Sequence, residues 1–471
     1  MLASPPTPAA TAPQALHALW SAAGLPPAAL QDITLPASGP VLPSSFAIAP
    51  ALQASLGAAA LAAVQLGRLR GGPAQQVRVA AEHAVLDSLA WFTLDGRTPD
   101  LWDPVSGLYR TADGHVRVHA NFAHHRDGVL RLLGLPEGAG TERARVQAAL
   151  ATWRAHEFEA QAAEAGLVVA AARSSAEWDA HPQAAALQAQ PVVAIERLGD
   201  APARPRQPWQ AQGLPLDGLR VLDLTRILAG PVAGRTLAAY GADVLLLNSP
   251  RLPNIEAIAA TSCGKLSAHL DLAEAGGPSA LAQLVRGADV FMQGYRPGAL
   301  AARGFAPADV AALAPGIVVV SLSAYGPAGP WAGRRGFDSL VQTATGFNLA
   351  EAEAFGTAEP RALPLQALDH AAGYLLAYGA QAALLRQAQQ GGSWHVQVSL
   401  AGVGRWLRSL GRTAPVARER PPMAPYLQTL DSGFGRLQTL RHAAEFSATP
   451  ARWRRPSMPP GTHPAAWPAR A

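Results

Sequence analysis

The sequence predicts an α/β protein: a large parallel sheet covered by helices, joined to a smaller α+β part. From residue 218 onward, short runs rich in Val and Leu alternate with helical stretches, as strands linked by crossover helices do. Ile195 to Asp217 is dense in proline and separates that half from the first. The first half carries a hairpin pattern among helices and lacks the regular alternation. With 49% hydrophobic and 15% charged residues over 471 positions, the chain is long enough for two compact units.

In order, residues 1–45 form a Pro/Ala-rich segment with one helix from Ala12 to Ala23. Residues 46–196 form a partial repeat and a small-domain-like region. There, Ala51 to Leu89 reads as an Ala-rich helix, a Gly71-Gly72 break, an alternating strand and a second helix. Tyr109 to Ala120 is a hairpin turning at Asp113-Gly114, and helices follow at His125 to Leu133, Thr141 to Glu164 and Ser175 to Ala180. Residues 197–217 are the linker. In the large domain, residues 218–404, strands are expected at Leu219 to Leu224, Asp243 to Leu247, Asp289 to Met292 and Ile317 to Leu322. Helices at Pro231 to Tyr240, Gly277 to Arg286 and Pro307 to Leu313 lie between them, and residues 405–471 are a return segment.

The stretch that organises the rest is Ala362 to Leu400. Asp369 opens a long Ala/Leu-rich helix, Gly391 and Gly392 stop it, and Trp394 to Leu400 alternates as a half-buried strand. GAQAALLRQAQQGGSWHVQVSLAGV echoes GAAALAAVQLGRLRGGPAQQVRVAAEHAV, so the first half holds a second copy, in which Ala49 stands at the position of Asp369. An aspartate before a helix is in most proteins only an N-cap; a carboxylate kept ionised by the helix terminus is also a nucleophile. The local pattern leaves both roles open.

The net charge is +5, yet the arginines are scattered and no nucleic-acid motif appears, so nucleic acid is not an expected partner. Lys265 is the only lysine and neighbours the only cysteine, Cys263, which excludes an internal disulfide and suits a reducing cytosol. No basic, apolar leader opens the chain, and the Ala-rich runs near Ala51 and Ala371 are interrupted by Gln, Gly or Tyr; a cytoplasmic protein without membrane contact is expected. G-x-G-x-x-G, G-x-x-x-x-G-K-[ST] and G-x-S-x-G are all absent. His124 and His125 lack further ligands at metal spacing, so no metal site is expected and the pair reads as packed or solvent-facing.

Five phrases occur in one order: GLRVLDLTRILAGPVAGRTLAAYGADVLLLNSP, CGKLSAHLDL, ADVFMQGYRPGALAARGF, VVVSLSAYGPAGPWAGRRGFDSLVQTATG and ALDHAAGYLLAYGAQAALL. Together they resemble the class III CoA-transferases, which include formyl-CoA:oxalate and carnitine CoA-transferases and the methylacyl-CoA racemases. The resemblance implies a parallel-sheet, Rossmann-like large domain binding coenzyme A. It implies Asp369 as the nucleophile that takes CoA from an acyl-CoA to a carboxylic acid through an aspartyl anhydride and an aspartyl-CoA thioester, with first-turn amides of its own helix holding the oxyanions.

Leu228, Ala229, Lys265, Gly294, Tyr295, Arg296, Arg335 and Asp338 match positions that meet CoA. Coenzyme A and acyl-CoA would be substrates, with no permanently bound cofactor, and a homodimer is implied. Asn248 replaces a usual Glu, and Thr261-Ser262-Cys263 replaces Asn-Arg-Gly, so a non-catalytic acyl-CoA binder is the alternative. Phe337 stands where racemases carry a His, which disfavours that branch. The first half resembles the family's linking helix and small domain, placed here ahead of the sheet domain.

Overall fold

The computed structural model describes residues 9–416 and 419–469. Its centre is a seven-stranded sheet of β1 (Ala194–Gly199), β2 (Arg220–Leu224), β3 (Asp243–Asn248), β4 (Lys265–His269), β5 (Val290–Gln293), β6 (Val318–Ser323) and β7 (Ser393–Ser399). The order across the sheet is β4-β3-β2-β5-β6-β7-β1. All neighbours are parallel except β1, which closes the β7 edge antiparallel. Parallel strands need both faces covered, and the strand sequences supply two apolar faces. Val221, Val244, Val290 and Val318 face the larger core, while Leu222, Leu245, Phe291 and Val319 face the helices Gly277–Arg286 and Pro307–Leu313.

On the larger face lie α1 (Ile48–Leu69), α2 (Ala229–Ala239) and α4 (Ala367–Gln390); α3 (Asp338–Ala344) packs at the start of α4. The two copies of the repeat meet here: α1 lies along α4, with Gln381 Nε2 donating to the Ala59 carbonyl at 3.0 Å. By length and hydropathy α1 also suits a bilayer, contrary to the expectation from its interruptions, but 89% of that window is buried inside the protein. Helices apolar all round are core helices when a partner covers each side.

The first half divides differently from the expected 46–196 unit. Residues 46–90 join the main core, whereas Gly107–Arg110, His115–Val118 and Val169–Ala171 form a separate three-stranded sheet with its own core around Val116, Phe158 and Leu150. The hairpin turn falls between Arg110 and His115, and the expected Thr141 to Glu164 helix is two, Arg143–Leu150 and Ala155–Glu164. The proline-rich stretch begins inside the sheet, since β1 runs to Gly199. The return segment forms the hairpin Leu427–Ser432 and Gly435–Leu440, which extends Phe92–Leu94, and then adds Ala444–Phe446 to Val77–Val79.

Candidate active site

In a doubly wound sheet the ligand crevice opens where neighbouring strands send their connections in opposite directions. Here that point lies between β2 and β5. A cavity of about 400 Å³ opens there, floored by Leu224, Gly294, Leu322 and Ser323 at the C-terminal ends of β2, β5 and β6. Its wall carries Leu228, Ala229, Gly294, Tyr295, Arg296, Arg335 and Asp369. Seven of the nine residues proposed from sequence thus converge on one cavity although they span residues 228–369.

Asp369 is not the N-cap of α4. The helix begins at Ala367 with Gln366 as cap, so Asp369 is the third residue of the first turn and makes no capping bond. The cap comes instead from Asp338, whose Oδ2 accepts the N–H groups of Leu368 at 2.7 Å and Asp369 at 2.9 Å. Asp338 is wholly buried, also accepts from Gln342 Nε2, and does not line the cavity. It therefore fixes the turn that presents Asp369. Because those two amides are occupied, the first turn of α4 does not supply the oxyanion donors expected of it. The first turn of α2, whose Ala229 is on the cavity wall, has N–H groups without intrahelical acceptors.

The charge on Asp369 also departs from expectation. Burial and the neighbouring Asp338 push its carboxyl well above the ordinary carboxylate range, outweighing the helix terminus. Burial likewise raises Asp338, to about 6, against the N–H groups and Gln342 that favour its ionised form. With both folded values raised, the acids hold protons in the folded chain that the unfolded chain has lost. Their contribution to stability is complete below the ordinary carboxylate pKa and is lost as pH rises through each folded value, about 6 for Asp338. Thermal melts between pH 4 and 8 should show Asp369→Asn gaining stability over the parent as pH rises, and a constant difference would contradict the coupling.

Close helix packing sets where Asp369 stands. Gly373 lies one turn further on the same face of α4, and a Cβ there would sit 2.7 Å from the Ala229 carbonyl and 2.7 Å from Val232 Cγ1. Gly373→Ala should cost about 1–3 kcal/mol, read by urea denaturation, and move Asp369 away from α2.

Lys265 lies apart from the cavity. It is fully buried, with Nζ 2.9 Å from Asp223 Oδ2 and 2.9 Å from the Pro231 carbonyl, so this ammonium ties β4 to β2 and α2 and presents nothing to a phosphate. Cys263 is buried and its thiol is pushed up to about 11 by desolvation, which leaves it inert. Asn248 accepts from Asn254 Nδ2 at 2.9 Å and Thr261 Oγ1 donates to the Ala257 carbonyl at 3.1 Å, so both altered positions are bound to their own segments.

The first half contributes cavity residues that sequence reasoning passed over. Phe122, His124 and His125 line it, and Arg335 Nη1 donates to His125 Nε2 at 3.3 Å and to the Gly166 carbonyl at 3.2 Å. As the guanidinium is only a donor, His125 is neutral with its proton on Nδ1, and burial pushes its pKa to about 4. Arg226 also lines the cavity, and its guanidinium donates to the Pro253 carbonyl. Among the described residues, Arg226, Arg296 and Arg335 have no carboxylate partner. The adjacent His124-His125 pair was the visible signal, but its neighbours are distant in sequence.

The sequence profile of CoA-transferase family III matches residues 17–210 and 216–423. An acyl-CoA transferase of Gibberella moniliformis is 31% identical over 339 residues, which is 69% of this chain and 55% of that protein. An acetyl-coenzyme A transferase of Hypoxylon pulicicidum is 30% identical over 336 residues, 65% of this chain and 55% of that protein. A solved hypothetical protein of Mycobacterium tuberculosis is 32% identical, with a TM-score of 0.37 over 42% of this chain and 58% of that chain. The chain spans about half the length of the curated relatives it matches. With the profile covering most of both halves, the chain belongs to CoA-transferase family III.

Proposed function

We propose that this protein transfers CoA from an acyl-CoA to a carboxylic acid through Asp369. The observation that carries this reading is a buried aspartate at a helix start, opening onto a strand-end cavity that also holds three arginines without carboxylate partners. A CoA thioester brings the phosphate anions those arginines require, and its carbonyl is the electrophile that a carboxylate needs. Arg226, Arg296 and Arg335 bind the anionic end, while Leu228, Ala229 and Tyr295 wall the pantetheine.

The carboxylate form of Asp369 attacks the thioester carbonyl, the C–S bond breaks, and an aspartyl mixed anhydride and CoA thiolate result. The thiolate attacks the aspartyl carbonyl, the donor acid leaves as carboxylate, and an aspartyl-CoA thioester forms. The acceptor carboxylate attacks that thioester to give a second anhydride, and the thiolate then takes the acceptor acyl group, restoring Asp369. No net proton is exchanged. The tetrahedral oxyanions face the first-turn amides of α2, which support them electrostatically.

Because the nucleophile is the ionised form and its pKa is raised, activity should increase with pH through that pKa. Asp338→Asn, which removes the neighbouring negative charge while keeping an acceptor oxygen, should shift the acid limb of kcat to lower pH. The activity itself is tested by incubating an acyl-CoA with the isotopically labelled free form of its own acid. Label entering the acyl-CoA supports transfer, whereas exchange of the α-hydrogen alone supports an isomerase. CoA binding with neither exchange supports a binding protein.

A further inference from the structure

Arg334 and Arg335 are neighbours in the loop before α3 and both line the cavity, yet the fold ties them differently. Arg334 is held to the small sheet domain by an ion pair: Nη2 lies 3.3 Å from Glu159 Oε1 and donates to the Val169 carbonyl at 3.4 Å. Arg335 reaches the same domain through neutral acceptors. Its Nη1 donates to His125 Nε2 at 3.3 Å, on the helix Ala123–Leu132, and to the Gly166 carbonyl at 3.2 Å, in the turn after the helix Ala155–Glu164. Among the described residues its Nε and Nη2 make no hydrogen bond, which leaves that side of the fork for a ligand.

Neutral acceptors leave the charge of Arg335 uncompensated. The charged group that acts on it is a second cation: burial and then the Arg296 guanidinium push its pKa down. With no tether, a long side chain would turn into solvent, away from that repulsion. His125 and Gly166 instead keep it where an anion relieves it.

His125 is built into this position. It is 5% exposed, with its ring 5.7 Å from Phe122 in an edge-on contact and 4.1 Å from the His124 ring. Its Nδ1 meets no acceptor among the described residues. A buried donor without a partner is destabilising, and the tautomer that leaves it so is the one whose Nε2 can accept from Arg335.

We infer that His125 is a positioning residue, which holds the Arg335 guanidinium in the cavity so that the free side of its fork meets a phosphate of the CoA moiety. The inference rests on the transfer reading above in taking CoA as the ligand. His125 acts through Arg335, so the first half of the chain sets how tightly the second half holds CoA.

The test is isothermal titration of CoA and of dephospho-CoA into the full chain, with label exchange measured on the same preparations. His125→Phe and His125→Leu, each without the acceptor, should weaken CoA by about 10-fold, the loss falling on KM for the acyl-CoA rather than on kcat. His125→Gln, whose amide oxygen can accept from Arg335, should recover most of it. In an Arg335→Leu background, His125→Phe should change the CoA Kd by less than about 2-fold, because its effect passes through the guanidinium. A loss with CoA alone identifies the 3′-phosphate as the anion held, and an equal loss with dephospho-CoA identifies the diphosphate. An unchanged CoA Kd in folded His125→Phe or His125→Leu, or the full loss persisting in the Arg335→Leu background, overturns the inference. CoA binding that follows these expectations without label exchange overturns the transfer reading alone, and a parent chain that binds no CoA overturns both.

Discussion

Asp369→Asn should abolish CoA transfer, lowering kcat by at least ~10³-fold, while CoA still binds and the protein melts at the same or a higher temperature. The amide has almost the shape of the carboxyl, so the wall of the cavity is retained. It is not a nucleophile toward a thioester, so the first bond cannot form. The stability change follows from the electrostatics: burial and Asp338 disfavour the charged form of Asp369, and the neutral amide removes that conflict near neutral pH. Loss of activity accompanied by loss of stability and of CoA affinity would instead mean that the substitution disturbs the cavity as a whole, so kcat, CoA affinity and Tm are measured on the same preparation.

Asp87→Ala should lower stability by about 3–5 kcal/mol, the cost of stranding a buried charge. Asp87 Oδ1 is 3.0 Å from Arg235 Nη1, and both side chains are buried. Tyr374 of α4 donates to Asp87 at 3.5 Å, Arg235 Nη2 donates to the Leu440 carbonyl at 3.3 Å, and the guanidinium lies 4.3 Å from the Trp453 ring centre. Four stretches of chain, namely the first repeat, α2, α4 and the return segment, meet at this pair. Removing the carboxylate leaves Arg235, itself part of the α2 helix that packs against α4 near Asp369, buried with no counter-ion. Replacing both partners with apolar residues of similar volume should recover most of the loss, because desolvation of both ions is then avoided. Urea denaturation of the single and double variants checks this, and additive losses would show that the two residues act independently.

The sheet was legible because its interior strands are continuous apolar runs: Val318 to Val320 and Leu245 to Leu247 reveal themselves without partners. β4, reading KLSAH, and β1, reading AIERLG, were missed for the same reason reversed. One is a polar edge strand and the other has charged residues merging into prolines, so neither shows the expected pattern. The repeat was visible because both copies must fill the same helix-on-helix core, and α1 does lie on α4. Local sequence placed Asp369 at a helix start and offered capping as one of two duties, but the capping is done by another residue. The true capping acid, Asp338, precedes it by 31 residues. Lys265 was misread for a similar reason, since Asp223, which holds it, lies 42 residues away. Charge partners distant in sequence carry no periodicity, and only the assembled fold shows them.

The central claim is that Asp369 becomes covalently acylated. Its most direct test is peptide mass spectrometry after incubation with hexanoyl-CoA and then hydroxylamine, run beside Asp369→Asn. The account predicts a hydroxamate on the peptide bearing Asp369, formed only when the acyl-CoA is present and absent from the variant. An unmodified Asp369 in protein that demonstrably exchanges acids between CoA esters would contradict it.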